Sequence, residues 1–370
     1  MKKSGRDYGL DILRLICIIM LATYHFLNYY GPTYTNIAVY GRKAILVQNF
    51  FWAGGRVICN VYLYVSAWYL CEKEFRIERI FKTWFTVFVY SLIIGIVFYI
   101  RCRDMKFLIK HFFPISSCIV WYVSMYIGIL IIAPLLNILL DDKFRKYTRI
   151  VVTLFVIMQC VIPSFYAKYS YPGAVLSWFM VAYLLIGIIK KDKINISRWI
   201  GGIMFAFGWG LCLWFYNSYA GWIADPKISE IFVELGLYQG IYFSNLASLP
   251  CSMAALGLFI MFRNPQTAHI KWRGGVKKVS LASLDIYILN SMESPWGKLA
   301  WVELWKPGYV PNHLLQCYTM IGLGIIIGVV IGNLRECLYL KLKDRLYLNK
   351  YFERMEKAIC GDLKLKNPTE

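Results

Sequence analysis

Two ionisable side chains, Arg14 and His25, lie inside the first long apolar segment of the chain. They are eleven residues apart, so in an α-helix they fall on one face, within about 20° of each other and about 16 Å apart along the axis. Asp11 lies one turn before Arg14 and is spaced to pair with it. Ionisable groups in hydrocarbon are costly and therefore candidates for function, and imidazole titrates near neutral pH. We predict that His25, Arg14 and Asp11 form a catalytic group in which the His25 imidazole accepts a proton.

Structural roles also fit these side chains. An arginine near the end of a membrane helix can extend to the surface as an anchor, and a histidine can simply bond a neighbouring helix. Three of the four histidines, His111, His269 and His313, fall in predicted loops. His25 is the histidine predicted inside a span, and this position favours catalysis.

A second polar group follows in the next apolar segment and at its end. Arg56 and Asn60 are four residues apart, so they share a helix face that we expect to turn inward and bind substrate, with a developing oxyanion as one possible target. Arg76, Arg79 and Lys82 then recur every three residues. This basic cluster fits two interpretations, ordinary charge at a cytoplasmic loop or a binding seat for phosphate groups.

Aromatic and amide side chains complete the set of candidate residues. Trp121 and Tyr122 open a later apolar segment, where aromatics usually form the interfacial belt and can also contact a substrate. Tyr287 and Asn290 begin a polar stripe on another segment, and such a stripe must face a partner helix or a wet cavity. We include all four among the substrate-binding candidates. The Cys and His spacing predicts no metal site.

The elements that position these residues are membrane helices. Apolar residues make up 59% of the 370 residues and charged residues only 17%, whereas soluble proteins carry about 25% charged residues. The composition therefore predicts an all-α integral membrane protein. About 20 apolar residues cross a bilayer, and we predict ten spans: 10–30, 45–71, 80–100, 119–139, 150–166, 174–189, 199–216, 242–262, 279–301 and 317–338.

The net charge of +20 follows the predicted topology. Alternate loops hold 29 of the 41 Lys and Arg residues, against 10 in the intervening loops, which predicts both termini in the cytoplasm and no nucleic-acid partner. The basic stretch 101–110 lies on the outer side, where it fits either an interfacial segment or a surface facing an anionic substrate. We expect a transmembrane domain over residues 1–342 and a charged cytoplasmic helix and tail over 343–370.

The order of these groups resembles the acyltransferase family 3 of membrane proteins. The similar stretches are Arg14 with His25, residues 55–66, the basic entry around Arg79 and Lys82, residues 121–137 and residues 287–290. Two positions depart from the family's pattern, since Ala67 stands where Gly is usual and Asn290 stands where the family has His. The Asn290 departure removes a titrating group from that position.

The resemblance implies transfer of an acyl group, usually acetyl, from cytoplasmic acyl-CoA to a hydroxyl of a cell-surface or lipid-linked glycan. It implies a bacterial polysaccharide O-acetyltransferase in the cell membrane. Arg14, Arg76, Arg79 and Lys82 would hold the CoA phosphates, and His25 would act as general base or transient acyl carrier. A transporter or flippase for a glycan or lipid-linked precursor, and a polysaccharide polymerase, are alternative functions. The sequence predicts neither the acceptor sugar nor the oligomeric state.

Overall fold

The computed structural model describes residues 7–30, 50, 54–166, 174–222, 224–235, 245–263, 273–290 and 313–360. These residues form helices and connecting turns, with no strand among them, as the sequence predicts. The helices in chain order are α1 Tyr8–Tyr30, α2 Gly54–Leu70, α3 Ile77–Cys102, α4 Met105–Phe112, α5 Trp121–Leu139, α6 Asp142–Val156, α7 Ala174–Lys191, α8 Arg198–Trp222, α9 Pro226–Leu235, α10 Leu249–Phe262, α11 Arg273–Leu281, α12 Ser283–Asn290, α13 His313–Arg345 and α14 Leu348–Cys360. A π-helical turn, Ile157–Val161, extends α6 into the short helical segment Ile162–Phe165.

Six of the described helices are long and apolar enough to cross a membrane. They lie in α1, α3, α5, α8, α13 and the continuous segment Asp142–Phe165, and they match the first, third, fourth, seventh, tenth and fifth predicted spans. The chain is therefore a multi-pass membrane protein by its helices. The count of ten spans and the cytoplasmic position of both termini stay predictions.

The other predicted spans have a different form. The second contains α2, of 17 residues, and the eighth contains α10, of 14 residues; both predicted spans begin in residues outside the described part. The sixth forms α7, which carries Trp178, Phe179 and Tyr183, all fully buried. A helix that is apolar on every side lies inside a bundle, and α7 packs between α2, α5 and α6.

Side chains at several helix starts explain where those helices begin. The Asp7 carboxylate accepts hydrogen bonds from the backbone N–H groups of Gly9 and Leu10 at 2.9 and 3.3 Å. Ser248 accepts from Cys251 N–H at the start of α10, and Asp104 from Phe107 N–H at the start of α4. Each satisfies an N–H that has no partner within its own helix.

The predicted ninth span is broken. It forms α11 and α12, which are separated at Ala282, and its remaining residues, 291–301, lie outside the described part. The eight residues of α12 rest on a glycine face of α13, where a Cβ at Gly328 would come within 2.6 Å of the Ile286 side chain. At Gly324 and Gly332, four residues to either side, a Cβ would come within 3.1 Å of the Asn290 side chain and within 2.9 Å of the Asp285 side chain. Small residues at four-residue spacing let helix backbones approach closely.

A buried ion pair also fixes α12. The guanidinium of Arg335 in α13 donates two hydrogen bonds to the carboxylate of Asp285, both at 3.0 Å. The Tyr90 hydroxyl donates a third from α3, at 3.0 Å. Since a buried charge is tolerated only when it is paired and hydrogen-bonded, this arrangement holds α3, α12 and α13 in one relative position.

The basic stretch 101–110 forms the short helix α4. Its side chains Met105, Ile109 and Phe112 are exposed, while His111 is buried against α3. An amphipathic helix with exposed apolar residues beside a membrane span suits the headgroup region. The structure favours the interfacial interpretation of this stretch.

Candidate functional site

A cavity of about 270 Å³ opens between α1, α2, α5, α11 and α12. Arg14 and Leu21 line it from α1, seven residues and so about 10 Å apart along the helix. The other lining residues are Ile58, Cys59, Tyr62, Ser66, Tyr122, Val123, Tyr126, Ser280, Leu281, Ser283, Leu284 and Tyr287. The face of α1 that the sequence singles out therefore faces a cavity.

Cations gather at the Arg14 end of the cavity. Two of them lie over the Tyr69 ring, with the Arg14 guanidinium 5.6 Å and the Lys73 ammonium 5.5 Å from its centre. Arg79 and Arg14 both lie within electrostatic range of Tyr126. We call Arg14, Lys73 and Arg79 the cationic mouth.

The charge of the cationic mouth acts on Lys73 itself. Partial burial, with Arg79, Arg14 and Lys190 close by, holds the pKa of the Lys73 ammonium below its usual value. Among the described residues Lys73 has no carboxylate partner. An anion bound here would relieve the repulsion between these cations.

Asp11 lies behind the cavity rather than in it. Its carboxylate is buried, accepts a hydrogen bond from the Ser280 hydroxyl at 2.7 Å, and lies 3.7 Å from Arg14 Nη1. Ser280 lines the cavity and belongs to α11. Asp11 is therefore placed to orient Arg14 and Ser280.

His25 lies one turn beyond Leu21 on the same face of α1, which is continuous through both residues. Its Nδ1 lies 2.8 Å from the backbone carbonyl oxygen of Asn290, the last residue of α12. A carbonyl oxygen only accepts hydrogen bonds, so Nδ1 carries the proton and Nε2 is the nitrogen able to accept one.

Tyrosine hydroxyls connect the helices around the cavity. Tyr62 donates to the Arg14 carbonyl at 3.1 Å, joining α2 to α1, and its hydroxyl lies close to Ser283 of α12. The Tyr126 hydroxyl in α5 lies close to Ser66 of α2. These contacts place hydroxyl groups along the cavity between the cationic mouth and Leu21.

Aromatic rings from two helices meet at the cavity wall. Tyr122 and Tyr287 pack edge to face with centroids 6.2 Å apart, and Tyr122 packs the same way on Trp121, at 5.9 Å. The exposed Arg56 places its guanidinium 5.0 Å from the Trp121 ring centre. The predicted substrate-binding residues Tyr122 and Tyr287 thus line the cavity, and Trp121 packs behind Tyr122. Arg56 is exposed, so the expectation that it turns inward with Asn60 is wrong.

The remaining predicted residues lie elsewhere. Asn60 is fully buried; its amide donates to the Leu246 carbonyl at 2.7 Å and accepts from Trp178 Nε1 at 2.9 Å, so it joins α2 to α7 and does not line the cavity. Lys82 pairs with Glu336 of α13, and Arg76 is exposed just before α3. Asn60 and Lys82 therefore lie outside the candidate functional site.

Asn290 was predicted to bind substrate, but its side chain bonds its own helix. Its side-chain amide donates to the Ile286 carbonyl of its own helix at 2.8 Å and lies against Gly324. The contact with His25 is made by the backbone carbonyl of Asn290. Every residue has such a carbonyl, so the sequence gives no sign of this contact.

Several residues of the cavity and around its cationic mouth were not predicted from the sequence. Lys73 and Tyr69 fall at the end of a span, where charge and aromatics are common, and the serines of α11 and α12 resemble ordinary helix-end residues. The glycines at positions 324, 328 and 332 did carry a signal, the four-residue repeat that marks close helix packing.

A bundle of membrane-crossing helices with a cationic mouth and an inward histidine defines a multi-pass membrane protein with an enzyme-like site. The family model for the acyltransferase domain matches residues 7–333. The chain belongs to acyltransferase family 3 and is a membrane acyltransferase. No curated protein and no solved structure gives a significant match to it.

Proposed function

We propose that this protein transfers an acetyl group from acetyl-CoA to a hydroxyl of a cell-surface or lipid-linked glycan, at the cell membrane of a bacterium. The observation that supports the proposal is one continuous α1 face. It runs from Arg14 in the cationic mouth, past Leu21 in the cavity, to His25 with Nδ1 bound to the Asn290 carbonyl.

The donor would enter from the cationic mouth. Arg14, Lys73 and Arg79 would hold the CoA phosphates, since guanidinium groups bind phosphate in a bidentate manner. The cavity is close to the lower limit of about 300 Å³ for ligand pockets, which suits a thioester with a short acyl chain. We expect acetyl-CoA to be a better donor than long-chain acyl-CoA.

His25 would act through Nε2 in either of two mechanisms. As a general base, Nε2 takes the proton of the glycan hydroxyl, the oxygen attacks the thioester carbonyl, the C–S bond breaks, and the imidazolium returns the proton to the CoA thiolate. As an acyl carrier, Nε2 attacks the thioester carbonyl, the C–S bond breaks, and CoA leaves as the thiolate; the glycan hydroxyl then attacks the acetyl group on Nε2, the N–C bond breaks, and the hydroxyl proton neutralises the thiolate. The bond to Asn290 fixes the tautomer of the neutral imidazole that both mechanisms use, with the lone pair on Nε2.

The decisive experiment uses purified protein in lipid nanodiscs with radiolabelled acetyl-CoA and a surface glycan from cells that lack the gene. We expect label in the glycan, and a loss of about 10²-fold or more in His25→Ala, the range typical of a general base. Label retained on protein without acceptor would identify the acyl-carrier mechanism. Full transfer by His25→Ala would refute the role of His25, and glycan translocation without acetyl-CoA would support a flippase instead.

A further inference from the structure

The C-terminal helix α14 presents three distinct faces. One face contacts the bundle: the Phe352 ring is buried, with its centre 5.4 Å from that of Phe81, and the Glu356 carboxylate accepts a hydrogen bond from Ile77 N–H at 2.8 Å. Both partners lie in the first turns of α3. The helix is therefore fixed beside the end of a membrane-crossing helix.

The second face is an apolar stripe that no described residue covers. Tyr351, Met355 and Ile359 follow one another at four-residue intervals, and Tyr347 precedes them at the same interval. Their exposed fractions lie between 46% and 75%. On a helix that crosses the membrane, exposed apolar side chains face lipid. Helix α14 lies beyond the end of α13, so its apolar stripe must be covered by something other than the lipid around the spanning helices.

The third face is basic. Lys350, Arg354 and Lys357 recur at intervals of four and three residues, which places them together beside the apolar stripe and away from Phe352. None of the three forms an ion pair with any described residue. A helix with an apolar face and an adjoining row of basic residues is the form that lies in a membrane interface.

The turn before α14 sets the direction of the helix. Tyr347 adopts a left-handed backbone conformation, with φ of 50°, and its carbonyl accepts from Lys350 N–H. Residues other than glycine seldom adopt this conformation, so the turn is a specific feature of the chain. The turn ends α13 and redirects the chain, so that α14 does not continue α13 into solvent.

Contacts of α13 indicate the level at which α14 lies. Lys343, near the end of α13, pairs with Glu78 in the first turn of α3, and the Tyr339 hydroxyl donates to Glu78 at 3.3 Å. The last turn of α13 and the first turn of α3 are therefore level with each other. Charged residues end both helices here, as expected at the surface of the bilayer.

We propose that α14 docks on anionic phospholipid headgroups at the membrane surface where α3 begins. The apolar stripe inserts at the headgroup boundary, and Lys350, Arg354 and Lys357 bind the lipid phosphates. Because Glu356 caps Ile77, two residues before Arg79, docking also steadies the chain that carries the cationic mouth. By the charge distribution of the loops this surface is the cytoplasmic one.

Hydrogen exchange on the full chain in nanodiscs tests the docking, independently of any acyl transfer. Nanodiscs of phosphatidylcholine alone are compared with nanodiscs that also contain phosphatidylglycerol. We expect the α14 amides to exchange about tenfold more slowly in the anionic discs, because basic residues bind such surfaces electrostatically. The difference should shrink as salt is added.

Paired variants identify the groups responsible. Lys350→Gln with Lys357→Gln should abolish the difference between the two lipids, whereas Lys143→Gln with Lys146→Gln, two lysines in α6 that do not contact α14, should preserve it. Met355→Ser with Ile359→Ser should speed exchange of α14 in both lipids, while unchanged exchange in α3 and α5 shows that the bundle is folded.

Two results would overturn the proposal. Equal exchange of α14 in both lipids would exclude recognition of anionic headgroups. An equal slowing by inorganic phosphate in phosphatidylcholine discs would show that α14 binds a free anion rather than a lipid surface.

Discussion

Arg14 has contacts on three sides that a lysine would not reproduce. Its guanidinium lies over Tyr69 and beside Asp11, and the residue lines the cavity. A guanidinium is planar and binds phosphate through two parallel hydrogen bonds, whereas an ammonium is a point charge. At this scale the geometry of one side chain, and not only its charge, determines donor binding in the proposed reaction.

Substitution of Arg14 should therefore act mainly on donor binding. We expect Arg14→Gln to raise the KM for acetyl-CoA by about 10- to 100-fold, the range of one or two charge-assisted hydrogen bonds, with a smaller change in kcat. Arg14→Lys should lie between this variant and the wild type. Steady-state kinetics in nanodiscs measure both, with Lys146→Gln as control. A fall in kcat alone would place Arg14 in the chemical step.

Lys73 should make donor binding depend on pH. Its pKa is held below the usual value of lysine by partial burial and by the neighbouring cations. The ammonium is charged below that pKa, so the KM for acetyl-CoA should rise as pH increases through it. Lys73→Arg keeps the charge to higher pH, and its KM should stay flat over the same range. If KM depends on pH in the same way in the wild type and in Lys73→Arg, Lys73 does not bind the donor.

At the scale of elements, α12 connects the two halves of the proposed chemistry. Its Ser283 and Tyr287 line the cavity, and its last carbonyl binds His25. Eight residues make a short helix that propensity alone does not stabilise. Contacts with α3 and α13 must hold it in place.

The glycine face of α13 should therefore be essential for activity. Gly328→Ala would bring a Cβ within 2.6 Å of Ile286 and displace α12. Since a misplacement of about 1 Å can cost about 10²-fold in rate, we expect kcat to fall tenfold or more. Gly322→Ala is the matched control, because it adds the same methyl group to the same helix, where no atom of a described residue would lie within 4 Å of it. Equal activity of the two variants would contradict this role of Gly328.

The ion pair between Asp285 and Arg335 should show strong coupling. Asp285→Asn or Arg335→Met alone leaves one buried partner uncompensated, which typically costs about 3–5 kcal/mol. The double variant Asp285→Leu with Arg335→Met removes both charges and should regain much of the lost Tm. Thermal unfolding in detergent measures all three. Additive losses would show that the two side chains act independently.

These elements also show where sequence reasoning succeeded and where it stopped. The spacing of Arg14 and His25 predicted a shared helix face, since a continuous helix has fixed geometry. An inward direction for Asn60 was also correct, but its inward partner is Trp178 rather than the cavity. Lys82 meets Glu336, 254 residues away in the chain, and no local pattern reveals a contact at that distance.

At the scale of the whole molecule, the charge of the loops predicts the orientation in the membrane. The loop count predicts that α3 begins at the cytoplasmic surface and that Cys102, at its other end, lies outside. Cys102 is a free and exposed cysteine. The same prediction determines on which side of the membrane every other element lies, including the cationic mouth and α14.

Cysteine labelling in intact cells tests the orientation. A membrane-impermeant maleimide should label Cys102, and Cys102→Ser, in a background with Cys118→Ser and Cys337→Ser, should abolish the signal. A cysteine introduced at Lys146, in α6, should react only after permeabilisation. Labelling of the Lys146→Cys variant from outside would reverse the topology and place the donor on the wrong side of the membrane.

The bond between His25 and the Asn290 carbonyl has a consequence for variation among related proteins. Every amino acid carries a backbone carbonyl, so the contact constrains the path of the chain at position 290 and not the identity of the residue. A substitution at position 290 would therefore keep the histidine's partner wherever the path of the chain is kept. We expect selection to act instead on position 328. A search for polar functional residues would not find this glycine, although its packing fixes the path of α12.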